Sequence, residues 1–376
     1  MNNNSSGCEL AKAGKRRRQE GEEVEDTTAI DRLSHLPRPI IHHILSFLDT
    51  KYAVQTCVLS REWRCAWKYV PVLRLHSDSF EQYSSFQIYV DHVLFLQFPS
   101  SVRKVSYADN GDSEEQDVHL FARVFDYALS RGAQHLAMDL HSDLEVEEFH
   151  RFSDLFSPRS NSSLITLVLE SVAIDSGFRS FGFEMLTTLS LRWCPVSFEE
   201  EEDLFSNFPC LQNLSILDCT NVLPYHMSEE CLKVYGLQLL SLNLQSMSFS
   251  KIEIVAPKLK RFHLFEDSDN SSDFPELSLA SLDSAVVHVY PDYGAKKKEW
   301  VEQHLISLFQ GLHNAETLTL HGIAQVLSDF DQVLEKQPSP FTRLKHLNLN
   351  SNNVPYAVVD YFLKGTSFAE PIVEFG

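Results

Sequence analysis

Sixteen histidines and seven cysteines are the residues of this chain best suited to chemistry, and their spacing supports no reaction. His42 and His43 are adjacent, so on a helix they point about 100° apart, too divergent to share one metal ion without a third ligand. The chain holds no H-E-x-x-H, no G-x-S-x-G, no phosphate-cradling G-x-x-x-x-G-K-[ST] and no G-x-G-x-x-G. The cysteines, at positions 8, 57, 65, 194, 210, 219 and 231, form no C-x-x-C pair, and their odd number argues against a closed disulfide framework. They read as reduced, small apolar side chains. No catalytic residue, metal or cofactor is expected.

The surroundings narrow the partners. A formal net charge of −20 opposes binding to a polyanion, because nucleic-acid affinity rests on Lys and Arg displacing counterions at phosphates. No apolar run reaches the roughly 18 residues of a bilayer span, and no secretory leader is visible, so neither nucleic acid nor membrane is an expected partner. Residence in the cytosol or nucleus follows, with Lys15, Arg16, Arg17 and Arg18 as a weak import signal or a solvated charge run.

Two kinds of element must position any binding residue. Residues 1–30 carry almost no large apolar side chain and are expected to be a disordered leader. From Leu33 the composition changes: Ile40, Ile44 and Leu48 recur every four residues, with Ile41 and Leu45 widening the stripe, which is a helical period. Pro37 and Pro39 fit at or before the first turn. Asp49 and Thr50 stop this helix and cap a second with Ala53, Val54, Cys57 and Val58 on its apolar face, and Ser60 caps a third bearing Trp63 and Trp67. Three short helices over residues 31–72 bury little among themselves. Such a module needs a partner.

Beyond it the period changes. Leu-x-x-Leu-x-Leu, with apolar substitutes, begins at Ala133, Leu164, Leu186, Leu211, Leu239, Leu259, Leu282, Ala315 and Leu344, with a weaker match at Val102. Starts recur every 20 to 33 residues, and alternate apolar positions mark a strand in each copy. Residues 200–208 read as one of the helices between strands. The expected architecture is an α/β repeat: a three-helix module, then a leucine-rich-repeat solenoid over residues 73–350 with a curved parallel sheet, closed by a cap segment over 351–376 with a helix near Tyr356 to Lys364.

These residues carry a specific likeness. The runs from Asp31 to Pro37 and from Ile44 to Leu48, the pairs Thr50-Lys51 and Ala53-Val54, and the run from Thr56 to Arg64 resemble the F-box of plant F-box/leucine-rich-repeat proteins. The segments Val70 to Leu75 and Phe121 to Leu140 are similar to the first repeats of that family. The resemblance implies a substrate receptor of a Skp1–cullin–F-box ubiquitin ligase, non-catalytic, in which the F-box binds a Skp1-like adaptor, and through it a cullin, while the repeats hold a protein substrate. The implied adaptor contacts are Leu36, Pro37, Ile40, Ile44, Leu45, Leu48, Val54, Cys57, Val58, Leu59 and Trp63. Two departures stand out: Arg38 replaces the acid common after the Leu-Pro pair, and the sequence stops at Gly376 without the further C-terminal domain many relatives carry. The alternative is an interaction scaffold not coupled to ubiquitination, for which Arg38 is the one hint.

In the repeats only the outward strand positions can meet a partner. They include Glu170, Arg192, Asn243, Arg261, His263, Phe265 and His321, a mixed polar set suited to protein rather than polyanion. Arg192, Asn243 and Arg261, in the middle of the array, are the candidate substrate-binding residues. The acidic run at residues 199–203 is an alternative steering site on a loop.

Overall fold

The computed structural model describes residues 33, 35–98, 102–109, 118–140, 150–157, 161–196, 205–220, 231–246, 251–266, 276–289, 298–322, 327, 334, 337–350, 354–366 and 372–375. The expected leader, residues 15–18 and residues 199–203 lie outside that set.

Helix α1 (Arg38–Leu45) starts behind Pro37, whose missing N–H is harmless there, and buries Ile41 and Leu45. Helix α2 (Thr50–Gln55) is capped by Asp49, whose carboxylate accepts the Lys51 N–H at 2.8 Å. A 3-10 turn (Thr56–Val58) follows. The expected third helix is instead a run of turns ending in a 3-10 helix, Ala66–Tyr69. Its anchors override helical propensity: Trp63 and Trp67 are both buried, and the Trp63 indole N–H donates to the Leu33 carbonyl at 3.0 Å.

The repeats form one parallel sheet of twelve strands, each in register with the next. Its first six strands are β1 (Val72–His76), β2 (Lys104–Ala108), β3 (His135–Asp139), β4 (Thr166–Glu170), β5 (Thr188–Arg192) and β6 (Asn213–Leu217). The last six are β8 (Ser241–Gln245), β10 (Arg261–Glu266), β12 (Ser284–Val289), β13 (Thr317–His321), β14 (His346–Asn350) and β15 (Ile372–Phe375). Every strand expected from the leucine pattern is present, because its period of two commits alternate side chains to one face. Leu189, Leu214 and Leu242 form one buried row and Leu191, Ile216 and Leu244 the next, while the residues between them are half-exposed. Strand β15 falls in the expected cap segment, beyond the last leucine match, and extends the sheet past it.

The connecting segments differ from the expected helices. Among the described residues, long helices accompany the ends of the array: α3 (Tyr83–Leu96), α4 (Val118–Ser130), α6 (Lys298–Gly311) and α7 (Tyr356–Leu363), with a single turn α5 (Phe152–Leu155) between. In the middle, β7 (Cys231–Tyr235), β9 (Lys251–Val255) and β11 (Glu276–Ser278) build a second, three-stranded parallel sheet. Their alternation, Leu232 with Val234 and Ile252 with Ile254, buries one side of a strand and cannot make a helical stripe. Of residues 200–208, the described part is a turn. Phenylalanines pack the connecting side of these repeats: Phe125 and Phe152 pack on Phe156 at 4.0 and 4.7 Å between ring centres, and Phe178 and Phe181 each lie 4.9 Å from Phe152.

Four successive repeats leave the sheet by the same device. Ser171, Trp193, Asp218 and Ser246, each one residue past its strand, adopt left-handed φ values of 59°, 49°, 53° and 45°. Each such residue costs of order 1–3 kcal/mol, and each is held by its own N–H, which donates to the carbonyl of the next strand at 2.8 to 3.0 Å. The turn redirects the chain sharply and fixes the last outward side chain of each strand at the sheet edge.

The N-terminal module is bonded onto this array. The Arg74 N–H of β1 donates to Thr50 Oγ1 at 2.8 Å, and the Arg74 guanidinium reaches the carbonyls of Ser46 at 2.5 Å and Leu48 at 3.2 Å. Gln97 donates to the Val70 carbonyl at 2.9 Å. Both α1 and α2 therefore present their outer faces from a rigid base.

Candidate docking surfaces

Helix α1 has two apolar flanks. Ile41 and Leu45, four apart, point into the core, whereas Ile40 and Ile44, also four apart, point outward. Pro37, Leu59 and Val58 of the same module are exposed too; Val58 keeps 84% of its surface in solvent. Leu36, Leu48 and Val54 are half-buried, packing inward on the core with part of each side chain accessible, and Cys57 is half-buried too. Two of the expected adaptor contacts need correction. Leu45 and Trp63, 1% and 3% exposed, have no surface to offer; they support the docking face from behind. Phe47, 70% exposed, and Tyr52 are large apolar side chains on the same module that the stripe alone does not single out. Solvated aromatic and branched residues crowded onto about 25 residues are the signature of a surface that a partner covers.

On the sheet, the candidate substrate residues do not converge. Arg192 ends β5, Asn243 sits mid-strand in β8 and Arg261 opens β10. At about 4.8 Å per strand and about 3.3 Å per residue, the first and last are of order 20 Å apart on opposite edges. Arg192 is also engaged, 3.5 Å from the Glu170 carboxylate and with its guanidinium 5.5 Å from the Trp193 ring centre. Asn243 has a buried side-chain carbonyl without a hydrogen-bond partner among the described residues.

The register brings together a different set. His263 and Phe265 on β10, His288 on β12 and His321 on β13 stand side by side on the open face. The His288 and His321 rings stack at 3.9 Å, and His263 and Phe265 each lie 5.5 Å from His288. Asn350 on β14 is hydrogen-bonded to His321 Nδ1 at 2.7 Å. Burial, then the neighbouring His321 and His263, push the His288 pKa down to about 4, and burial lowers His263 and His321 as well. All three rings are neutral at pH 7, so the cluster offers N–H donors and ring acceptors without charge. It can recognise amides, hydroxyls and aromatic side chains; it lacks the cations that grip phosphate. Among the described residues no group of three His, Cys, Asp or Glu is placed to hold a metal ion. No described helix is long and apolar enough to cross a membrane.

A model of the F-box domain matches residues 33–75, and the model described as At1g61320/AtMIF1, LRR domain, matches residues 101–370. The chain belongs to the plant F-box/leucine-rich-repeat family. It is 26% identical over 88% of its length to the F-box/LRR-repeat protein At3g18150 of Arabidopsis thaliana, covering 68% of that protein. It is also 26% identical over 86% of its length to F-box/LRR-repeat protein At5g02910 of the same plant, covering 66% of it. The chain thus spans about two thirds of the length of these relatives. In the family frame, the exposed face of α1 and α2 is the F-box surface and the register rows are the repeat surface. F-box/LRR proteins serve in general as non-catalytic substrate receptors.

Proposed function

We propose that this chain is the substrate-recognition subunit of a Skp1–cullin–F-box ubiquitin ligase. The observation that carries the reading is the division of α1: Ile41 and Leu45 seal the module while Pro37, Ile40, Ile44, Phe47, Val58 and Leu59 stand in water. Burying such side chains on a Skp1-like adaptor contributes roughly 1.5–3 kcal/mol for each one fully covered. The adaptor would link the chain to a cullin, and the open face of the sheet would hold a protein substrate. Arg192, Asn243 and Arg261 enter as separate contacts spread along that face, and the neutral cluster around His288 as its most concentrated recognition feature. The chain supplies no catalytic step, and the complex works in the cytosol or nucleus.

The test uses Ile44→Glu with Val58→Glu. Both side chains are exposed, so the fold should hold while a Skp1-like adaptor no longer copurifies. Undiminished capture by a normally folded double variant would remove the assignment and favour a scaffold uncoupled from ubiquitin transfer.

A further inference from the structure

Behind α1, on the flank away from Ile40 and Ile44, lies a cavity of about 320 Å³ lined by Arg38, His42, Arg61, Glu62, Cys65, Ala66 and Tyr69. We infer that this pocket is a cis-docking site for an acidic segment of the same chain, residues 20–26.

Four observations lead there. First, the pocket is basic and under-compensated. Arg38 meets Glu62 only at 3.9 Å, with side chains 78% and 53% exposed, a pair of little net worth. Residues 33–72 carry five cations (Arg38, Lys51, Arg61, Arg64, Lys68) against two acids, in a chain whose net charge is −20. Second, residues 20–26 hold Glu20, Glu22, Glu23, Glu25 and Asp26 with no cation, so the charges are complementary. Third, the path is short. The Trp63 indole N–H holds the Leu33 carbonyl at 3.0 Å, so the chain enters the module beside residues 61–65. The seven residues from Asp26 to Leu33 reach up to about 23 Å when extended, enough to turn back onto the pocket. Fourth, one wall is apolar. Tyr69 stacks between His42, at 6.0 Å, and Phe98, at 4.6 Å, with Tyr69 and Phe98 both largely exposed, and Val24 is the one apolar side chain of the acidic run.

Each ion pair alone is weak, but the tether changes the comparison. A linker of this length gives an effective concentration in the millimolar range, so an interaction with a millimolar dissociation constant is already populated. The contact is electrostatic at an exposed site and is therefore screened as the Debye length falls below about 5 Å in concentrated salt. Arg38, which departs from the family's usual acid, thereby acquires a role: it creates the pocket's charge. Docking leaves the Ile40 and Ile44 flank open, and the inference stands apart from the adaptor reading.

Cys65 provides the probe. In the full chain with Val24→Cys, mild oxidation by oxidised glutathione at 50 mM NaCl should join the introduced thiol mainly to Cys65, as mapped by peptide mass spectrometry. The yield of that disulfide should fall at least five-fold at 500 mM NaCl, a test that needs no further variant. Arg38→Glu with Arg61→Glu should lower it similarly, and adding Glu22→Arg with Glu23→Arg should restore it. Unchanged thermal unfolding would show that these variants are folded. Even partition of the introduced thiol among Cys57, Cys65 and the other cysteines, or a Cys65 yield indifferent to salt and to charge reversal, would overturn the inference.

Discussion

The N-terminal module and the repeat array use apolar residues in opposite ways. The array hides them: both inward rows of the central strands, from Leu189 and Leu191 through Leu242 and Leu244, are essentially without solvent contact, and the half-exposed rows are mostly polar. The module displays them, with Val58, Phe47, Tyr52, Leu59 and Ile40 all exposed within about twenty residues. A surface of that kind costs solubility unless something covers it, whereas the inward rows of the central strands are covered by the array's own packing. The contrast separates stability from recognition: substitutions in the array's inward rows should unfold the protein, and substitutions on the module's outer face should disconnect it.

The largest expected effect lies inside the array. Leu189→Asp places an unpaired carboxylate in the core and should cost several kcal/mol, enough to abolish cooperative unfolding, while the adjacent Ser190→Asp on the open face should shift stability by less than about 1 kcal/mol. Equal melting temperatures for the two would dissolve the inward–outward distinction.

Next comes the neighbouring pair on α1. Leu45→Ala removes a sealed side chain and should cost about 2–5 kcal/mol by chemical denaturation. Ile44→Ala should cost far less stability yet weaken adaptor binding by about 1–2 kcal/mol, roughly ten-fold, in a titration. A reversed pattern would show that the two flanks of α1 have exchanged roles.

Much of this is legible in the sequence, and what is not has physical causes. A period of two on leucine decides which side chains face inward, so the strands of the array can be placed from the pattern. The helical stripe is less informative, because residues four apart share a flank without revealing which flank is inside: Ile40 with Ile44 and Ile41 with Leu45 look alike in sequence. Trp63 resembles an interface anchor for the same reason, and only the fold shows its indole turned back to Leu33. The strands β7, β9 and β11 escape a reading that assigns connecting segments to helices, although the alternation of Ile252 and Ile254 marks one of them. The histidine cluster requires register. His263, Phe265, His321 and His288, the last of them six residues after the match at Leu282, all stand at outward positions of the leucine pattern, but that His288 packs between the others is shown only once β12 is paired on both sides.

The histidine cluster gives a smaller, pH-dependent effect. His288 titrates near 4 in the fold against 6.5 in an unfolded chain, so between those values the unfolded chain takes up a proton that the folded one refuses. Stability should therefore be complete above about pH 6.5 and decline as the pH falls toward 4. His288→Gln should flatten part of that decline in melting temperatures between about pH 7 and pH 5. An unchanged slope would mean that the ring takes up its proton in the fold as readily as in the unfolded chain. Smallest of all, Arg192→Ala should leave stability within about 1 kcal/mol, because its exposed pair with Glu170 contributes little.

That the displayed face of the module is where the ligase attaches is tested most directly by amide hydrogen exchange on the full chain with and without a Skp1-like adaptor. Adaptor should slow exchange across residues 36–59, at the outer face of α1 and α2, and leave β4 through β8 unchanged. Slowed exchange confined to the strands of the array, or none anywhere at saturating adaptor, would contradict it.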